Sequence, residues 1–212
     1  MNEGMKRLLK CDSGCLLKNL GTMAEVGILL VVWFWIIYGK VLNVMFAVTS
    51  FMGLLMISDG VRDWQNQIRV YIGMGITRKT TFAVLVIRGL LEVLLGLLLN
   101  VLISAAFYRE YLKGEVLIGG LLLLLFCNGW GQLSGTVGVC WKYGKVVQVI
   151  GLMIVGAVFG GGCMFAVYEN VLDEMVKWLN PALLTGMGVV CCMMWAAGII
   201  TAYRQLKKYT VA

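Results

Sequence analysis

The chain has 212 residues, 60% of them hydrophobic and only 14% charged, with a mean hydropathy of +0.88 and a formal net charge of +7. A soluble domain of this length carries roughly 25% charged residues, and apolar runs of bilayer-crossing length recur here, so the chain reads as an integral membrane protein. It contains no histidine, which excludes His-ligated zinc and haem, Ser-His-Asp and Cys-His catalysis, and histidine proton relays.

Residues 1–20 begin with Lys6, Arg7 and Lys10, as a secretory signal does, but Asp12, Lys18 and Asn19 interrupt any apolar core. No small-residue cleavage site follows, so the segment is expected to be retained. Met5, Leu8, Leu9, Leu16 and Leu20 approximate one helical face, which predicts an interfacial amphipathic helix on the inner leaflet. Six transmembrane helices are expected after it, at 21–39, 41–58, 81–108, 116–140, 146–168 and 182–203. Trp33, Trp35 and Tyr38 mark an interface at the end of the first. Gly39-Lys40 leaves room only for a tight turn, so the first two spans pair as a hairpin. On this arrangement thirteen Lys and Arg fall in inner segments and four in outer ones, with Arg88 inside a span. The positive-inside rule then places both termini in the cytoplasm. The surplus positive charge follows from topology and contact with anionic lipid headgroups, and nucleic acid is not indicated.

The 59–81 stretch is the long polar segment between the second and third spans. It holds Arg62, Arg69, Arg78 and Lys79 against Asp59 and Asp63. Its GMGITRKT, Gly73 to Thr80, approaches a Walker A phosphate loop, but Arg78 stands where the second glycine must let the backbone wrap a phosphate. No other nucleotide motif occurs, so ATP, if used, is expected on another chain. A geometric reading fits better. Trp64, Ile68, Tyr71 and Ile72 fall at helical spacing among Arg62, Asp63, Gln65, Gln67 and Arg69, predicting a short helix able to plug into a partner. The plain alternative is a solvated membrane loop.

In these residues the chain resembles the permease subunits of ABC-2 type ATP-binding-cassette transporters: the acidic Asp63, the helical run WQNQIRVYI, then GMGITRK before the third span. Gly75-Ile76 stands where many relatives have Pro and an aliphatic residue. The resemblance implies an all-α, polytopic six-span domain over 21–212. It implies a coupling helix within 59–81 in which Arg62, Asp63, Trp64, Gln65, Gln67, Ile68, Arg69, Tyr71, Arg78 and Lys79 contact a separate cytoplasmic ATPase. A second permease subunit, identical or not, completes the assembly, with ATP and magnesium on the ATPase and no cofactor or catalysis in this chain. The location implied is the cell membrane.

Further along, Arg88 and Glu92 lie four apart on one helix face inside the third span. Charges in hydrocarbon are costly and mark candidate functional sites, although a structural ion pair is the simpler reading. In the fourth span Asn128 and Gln132, one turn apart, either line a polar route or serve packing. Gly131 and Gly135, like Gly156 and Gly160 in the fifth span, are spaced for close helix approach. Residues 169–181 carry an apolar stripe of Val171, Leu172, Met175, Val176 and Leu179, which predicts an outer-leaflet helix before Pro181 opens the last span. None of the seven cysteines lies in a segment assigned to the outside, so no external disulfide framework is implied, and Cys11/Cys15 and Cys191-Cys192 read as packing residues rather than metal ligands. No N-x-[ST] site occurs, compatible with a bacterial origin.

The expected function is therefore that of an ATP-driven permease subunit, exporting a hydrophobic or peptide-like cargo. A gradient-driven secondary transporter or channel using Arg88 and Glu92, and a membrane scaffold or sensor, are the rivals.

Overall fold

In a computed structural model the described residues are 41–107, 114–169 and 181–208, with Gly21, Glu25, Ile28, Leu29 and Val32 as isolated helical positions before them. The expected interfacial helix 1–20, most of the first span, and all of the outer segment 169–181 except its two end residues lie outside the described residues. Those described are all-helical and contain no strand. Helix α1 spans Val41–Arg62, and a π turn at Asp63–Gln67 continues it without a break into α2, Ile68–Gly73. The remaining helices are α3, Arg78–Phe107; α4, Gly114–Cys140; α5, Gly144–Glu169; and α6, Pro181–Lys208. Three helical stretches, Arg78–Ile103, Gly114–Cys140 and Pro181–Lys208, are long and apolar enough to cross a membrane. This is a membrane protein.

The short helix expected within the 59–81 stretch is present, and it continues α1 instead of standing alone between loops. Helix persists to Gly73, and the connection shrinks to Met74–Thr77. Sequence chemistry stops and restarts the helix there. Gly75 adopts φ 77°, a left-handed conformation that favours glycine. Around it the Ile76 amide donates to the Tyr71 carbonyl (3.0 Å) and the Gly75 amide to that of Ile72 (3.0 Å), closing the paired bonds of a Schellman stop. Thr77 then caps α3: its Oγ1 accepts from the Thr80 amide at 3.3 Å. GMGITRKT thus joins two helices, where a phosphate loop joins a strand to a helix.

Helix α4 is the central element, packing most extensively on α6 and α1. Glycines make this possible. A Cβ on Gly131 would lie 2.9 Å from Ile57 Cα, and one on Gly135 would lie 2.8 Å from the Gly60 carbonyl oxygen. On its other flank a Cβ at Gly129 would lie 2.6 Å from Trp195 Cα, and Gly198 of α6 meets the Gly129 backbone in return. Backbones in contact gain dispersion that lipid tails cannot match, which is how small residues hold membrane helices together. The expected close approach at Gly131 and Gly135 is therefore made within this chain. Gly156 has open space around it.

Three buried clusters fill the bundle in sequence along it: Val48, Met52, Met56, Val93 and Leu124; then Ile57, Cys127 and Val155; then Trp64, Ile68, Leu85, Ala202 and Leu206. The last sits beneath the end that bears Arg62, Arg69, Arg78, Lys79, Lys142, Lys145, Arg204, Lys207 and Lys208, all exposed.

Candidate functional site

The hairpin of α1–α2 and α3 determines which residues meet. In an antiparallel pair, positions equally far from the turn lie opposite one another, and Asp63 precedes Met74 by as many residues as Arg88 follows Thr77. Arg88 Nη1 donates to Asp63 Oδ1 at 2.9 Å and to Gln67 Oε1 at 2.8 Å. Its Nε donates to Glu92 Oε1 at 3.0 Å, the i,i+4 pair legible in sequence, while Nη2 lies 3.9 Å from Asp59 Oδ2. Asp59 in turn pairs with the half-exposed Arg62 at 2.7 Å. Arg88, Asp63, Glu92 and Asp59 are all buried, at 3–8% exposure. Ions taken this far from water persist only when paired and hydrogen-bonded, and removing one partner of such a group costs about 3–5 kcal/mol.

Asp59 was not expected at the site. The missed signal is the ladder Asp59, Asp63, Gln67, each four residues on. It becomes meaningful only once helix is known to run through all three. In a regular α-helix four residues overshoot a turn by about 40°, so such a ladder drifts around the axis. The π turn begins at Asp63 and ends at Gln67, and its i→i+5 bonding spends more residues per turn and takes up the drift.

The neighbouring positions are turned the other way. Trp64 is completely buried, and its Nε1 donates to Gln132 Oε1 of α4 at 3.2 Å. Its ring rests on Gly135, where a Cβ would come within 2.8 Å of it. Ile68 is likewise fully buried with Leu85 of α3 and Leu206 of α6. Tyr71 is buried as well, and its hydroxyl donates to Gln67 Oε1 at 3.1 Å. The apolar stripe expected to enter a partner is thus filled by α3, α4 and α6 of the same chain. The physical reason is that the helix does not leave the bundle at Ser58: it stays against the other spans to Gly73, and its apolar side packs where α1's did. What remains outward is Arg62, Gln65, Asn66, Arg69 and Val70, then Met74, Arg78 and Lys79 past the turn. Within 59–81 every exposed charge is positive, because both acids face Arg88.

Two more contacts tie this elbow to the bundle. Arg78 Nη1 donates to the Lys207 carbonyl at 2.8 Å, and the Phe82 and Tyr203 rings lie 5.0 Å apart, so the start of α3 grips the end of α6. Gln65 Nε2 reaches Gln148 Oε1 of α5 at 3.5 Å. Asn128 and Gln132 are both buried; the Asn128 amide lies against Gly89 of α3. Together with Phe82, Leu85, Val86, Trp195, Ile199 and Ala202 they line a recess of about 10 Å³, room for a single water. Nearer the middle of the hairpin, Thr49 Oγ1 donates to Asn100 Oδ1 at 3.1 Å, a polar link that sequence reading passed over.

No family model, curated protein or solved structure matches this chain. The site must be read from its own geometry. Among the described residues no cluster of His, Cys, Asp or Glu is arranged to hold a metal ion; at the buried acids a guanidinium occupies the centre. The arrangement is mechanical in character. One side of a short helix is locked to α3, α4 and α6, and the other side is exposed, cationic and tipped with Val70 and Met74, which are 50% and 72% exposed.

Proposed function

We propose that this chain is the permease subunit of an ABC-2 type transporter, with six spans, both termini cytoplasmic and residence in the cell membrane. A second permease subunit and a separate cytoplasmic ATPase complete it, and ATP is hydrolysed on that partner. The observation that carries the reading is the two-sided elbow at 62–79. Its outward face offers Arg62, Gln65, Arg69 and Lys79 to a partner, while Trp64, Gln67 and Arg78 bond it to Gln132, Arg88 and the Lys207 carbonyl. A displacement applied to the outward face reaches three membrane helices at once, which is what a coupling element must do. Export of a hydrophobic or peptide-like cargo fits the sequence, whose expected outer segments are too short to receive a substrate-binding protein.

Three carboxylates gathered around one buried guanidinium favour a second reading, a transporter driven by an ion gradient without an ATPase. Purification of the tagged chain from its native host in mild detergent separates the two. The permease reading expects a near-equimolar chain with an intact Walker A motif, lost on Arg69→Glu while the variant stays folded. Recovery of this chain alone, with gradient-dependent transport after reconstitution, overturns it.

A further inference from the structure

The π turn is an uncommon conformation, and it sits where the elbow meets the membrane helix. Such turns usually occur singly, often at functional sites. What holds this one in place is visible in the bonding. A single nitrogen, Arg88 Nη1, donates to Asp63 and to Gln67, the first and last residues of the π turn. Tyr71, one turn further, donates to the same Gln67 oxygen.

The alternative is a regular α-helix through the same residues. A π turn accommodates one residue more per turn than an α-helix, so its conversion would rotate everything beyond it by about 100°. Each residue of α2 would then take the angular place of the residue that follows it. Val70, now 50% exposed, would move to the buried place of Tyr71, and Gln67 to the buried place of Ile68. Ile68, now fully buried, would move to the exposed place of Arg69. The alternative register has an apolar residue ready at 70 but must bury the Gln67 amide and expose Ile68. The balance therefore rests on the bonds that Gln67 and Asp63 make to Arg88.

We infer that Arg88 and Gln67 form a register pin: they hold residues 63–67 as a π turn and so set which side chains of 68–73 face outward, and releasing the pin rotates that set by one residue. The register itself is independent of any partner. Its consequence, that the pin decides whether Arg69 and Val70 are presented together on the docking face, rests on the permease reading.

The test is residue-by-residue thiol labelling of the full chain with a membrane-impermeant maleimide, read by mass spectrometry with the native cysteines retained. Reporters are Ile68→Cys and Val70→Cys, each made in the otherwise native chain and in chains carrying Arg88→Met or Gln67→Leu. Cys127, completely buried between α1, α4 and α5, reports whether the bundle is intact. In the native background position 70 labels and position 68 does not. With either pin residue replaced, labelling at 68 rises and at 70 falls, each by about tenfold or more, as expected when a minor conformer becomes the major one, and Cys127 stays protected. Gln67→Leu is the sharper variant, since it removes one bond to the pin and gives the alternative register an apolar residue to bury. An unchanged 68/70 pattern with Cys127 protected in both variants overturns the inference. So does labelling of Cys127 in both, which would make these residues hairpin fasteners and not setters of register. Because no partner enters the assay, failure of the native chain to copurify an ATPase, alongside a correct labelling swap, would count against the permease reading alone.

Discussion

The seams on either side of α1 are made of different materials. Against α4 it lies backbone on backbone, with Gly60, Gly131 and Gly135 leaving no room for a Cβ. Against α3 it is joined through side chains: the Arg88 group near the turn and the Thr49–Asn100 bond deeper in the hairpin. A glycine seam is set by shape and admits essentially one spacing. A polar seam is a set of donor and acceptor pairings, and such pairings can be exchanged for others at little cost. The difference teaches where the molecule can move: α1 and α4 travel together, and adjustment is confined to the hairpin of α1–α2 and α3.

The comparison can be broken most severely at the glycine seam. Gly131→Leu drives a side chain into the Ile57 backbone, and a loss beyond about 4 kcal/mol is expected, seen as failure to recover monodisperse protein in detergent. Arg88→Met comes next. It leaves Asp63 and Glu92 as buried acids without their cation, which lowers stability by about 3–5 kcal/mol and shows as an earlier thermal melt. Adding Asp63→Asn and Glu92→Gln recovers most of that loss; no recovery would mean that the guanidinium acts there through packing rather than charge. Thr49→Val sharpens the contrast further, with an expected loss of about 0.6–1 kcal/mol, the ordinary worth of one buried bond between membrane helices. Smallest in stability is Arg69→Glu on the outward face, for which an unshifted melting midpoint is expected together with loss of the ATPase proposed as its partner. A shifted midpoint would place Arg69 in the fold rather than in docking.

How much of this was legible beforehand depends on whether a feature is local. The i,i+4 pairing of Arg88 with Glu92 and the close-packing role of Gly131 and Gly135 follow from spacing on one helix, and the structure contains both. Pro181 at the start of α6 is of the same kind. Asp63 reads as a partner-facing residue of a short helix, and Asp59 carries no signal at all, because a polar composition between two apolar runs does not say which side of a helix through it is buried. Trp64, Ile68 and Tyr71 were recognised as one apolar stripe, yet a stripe does not say whose surface covers it. The π turn leaves no trace in residue types at all: it follows from the requirement that Asp63 and Gln67 reach one nitrogen while Trp64 and Ile68 reach α4 and α6. Asn100 was overlooked as a lone amide in an apolar run, although only a partner such as Thr49 makes it tolerable there.

The inward turn of Asp59 and Asp63 also has an electrical consequence. Asp59 and Asp63 are buried against Arg88, Asp59 also pairing with Arg62, so the exposed charges of the 59–81 stretch, Arg62, Arg69, Arg78 and Lys79, are all positive. In an energised membrane each elementary charge carried across the potential is worth about 2.3 kcal/mol per 100 mV. In the orientation proposed above, the 59–92 hairpin carries five positive charges against three negative ones, a net charge that would resist its inversion by several kcal/mol, so a membrane potential would help to keep the elbow on the cytoplasmic side.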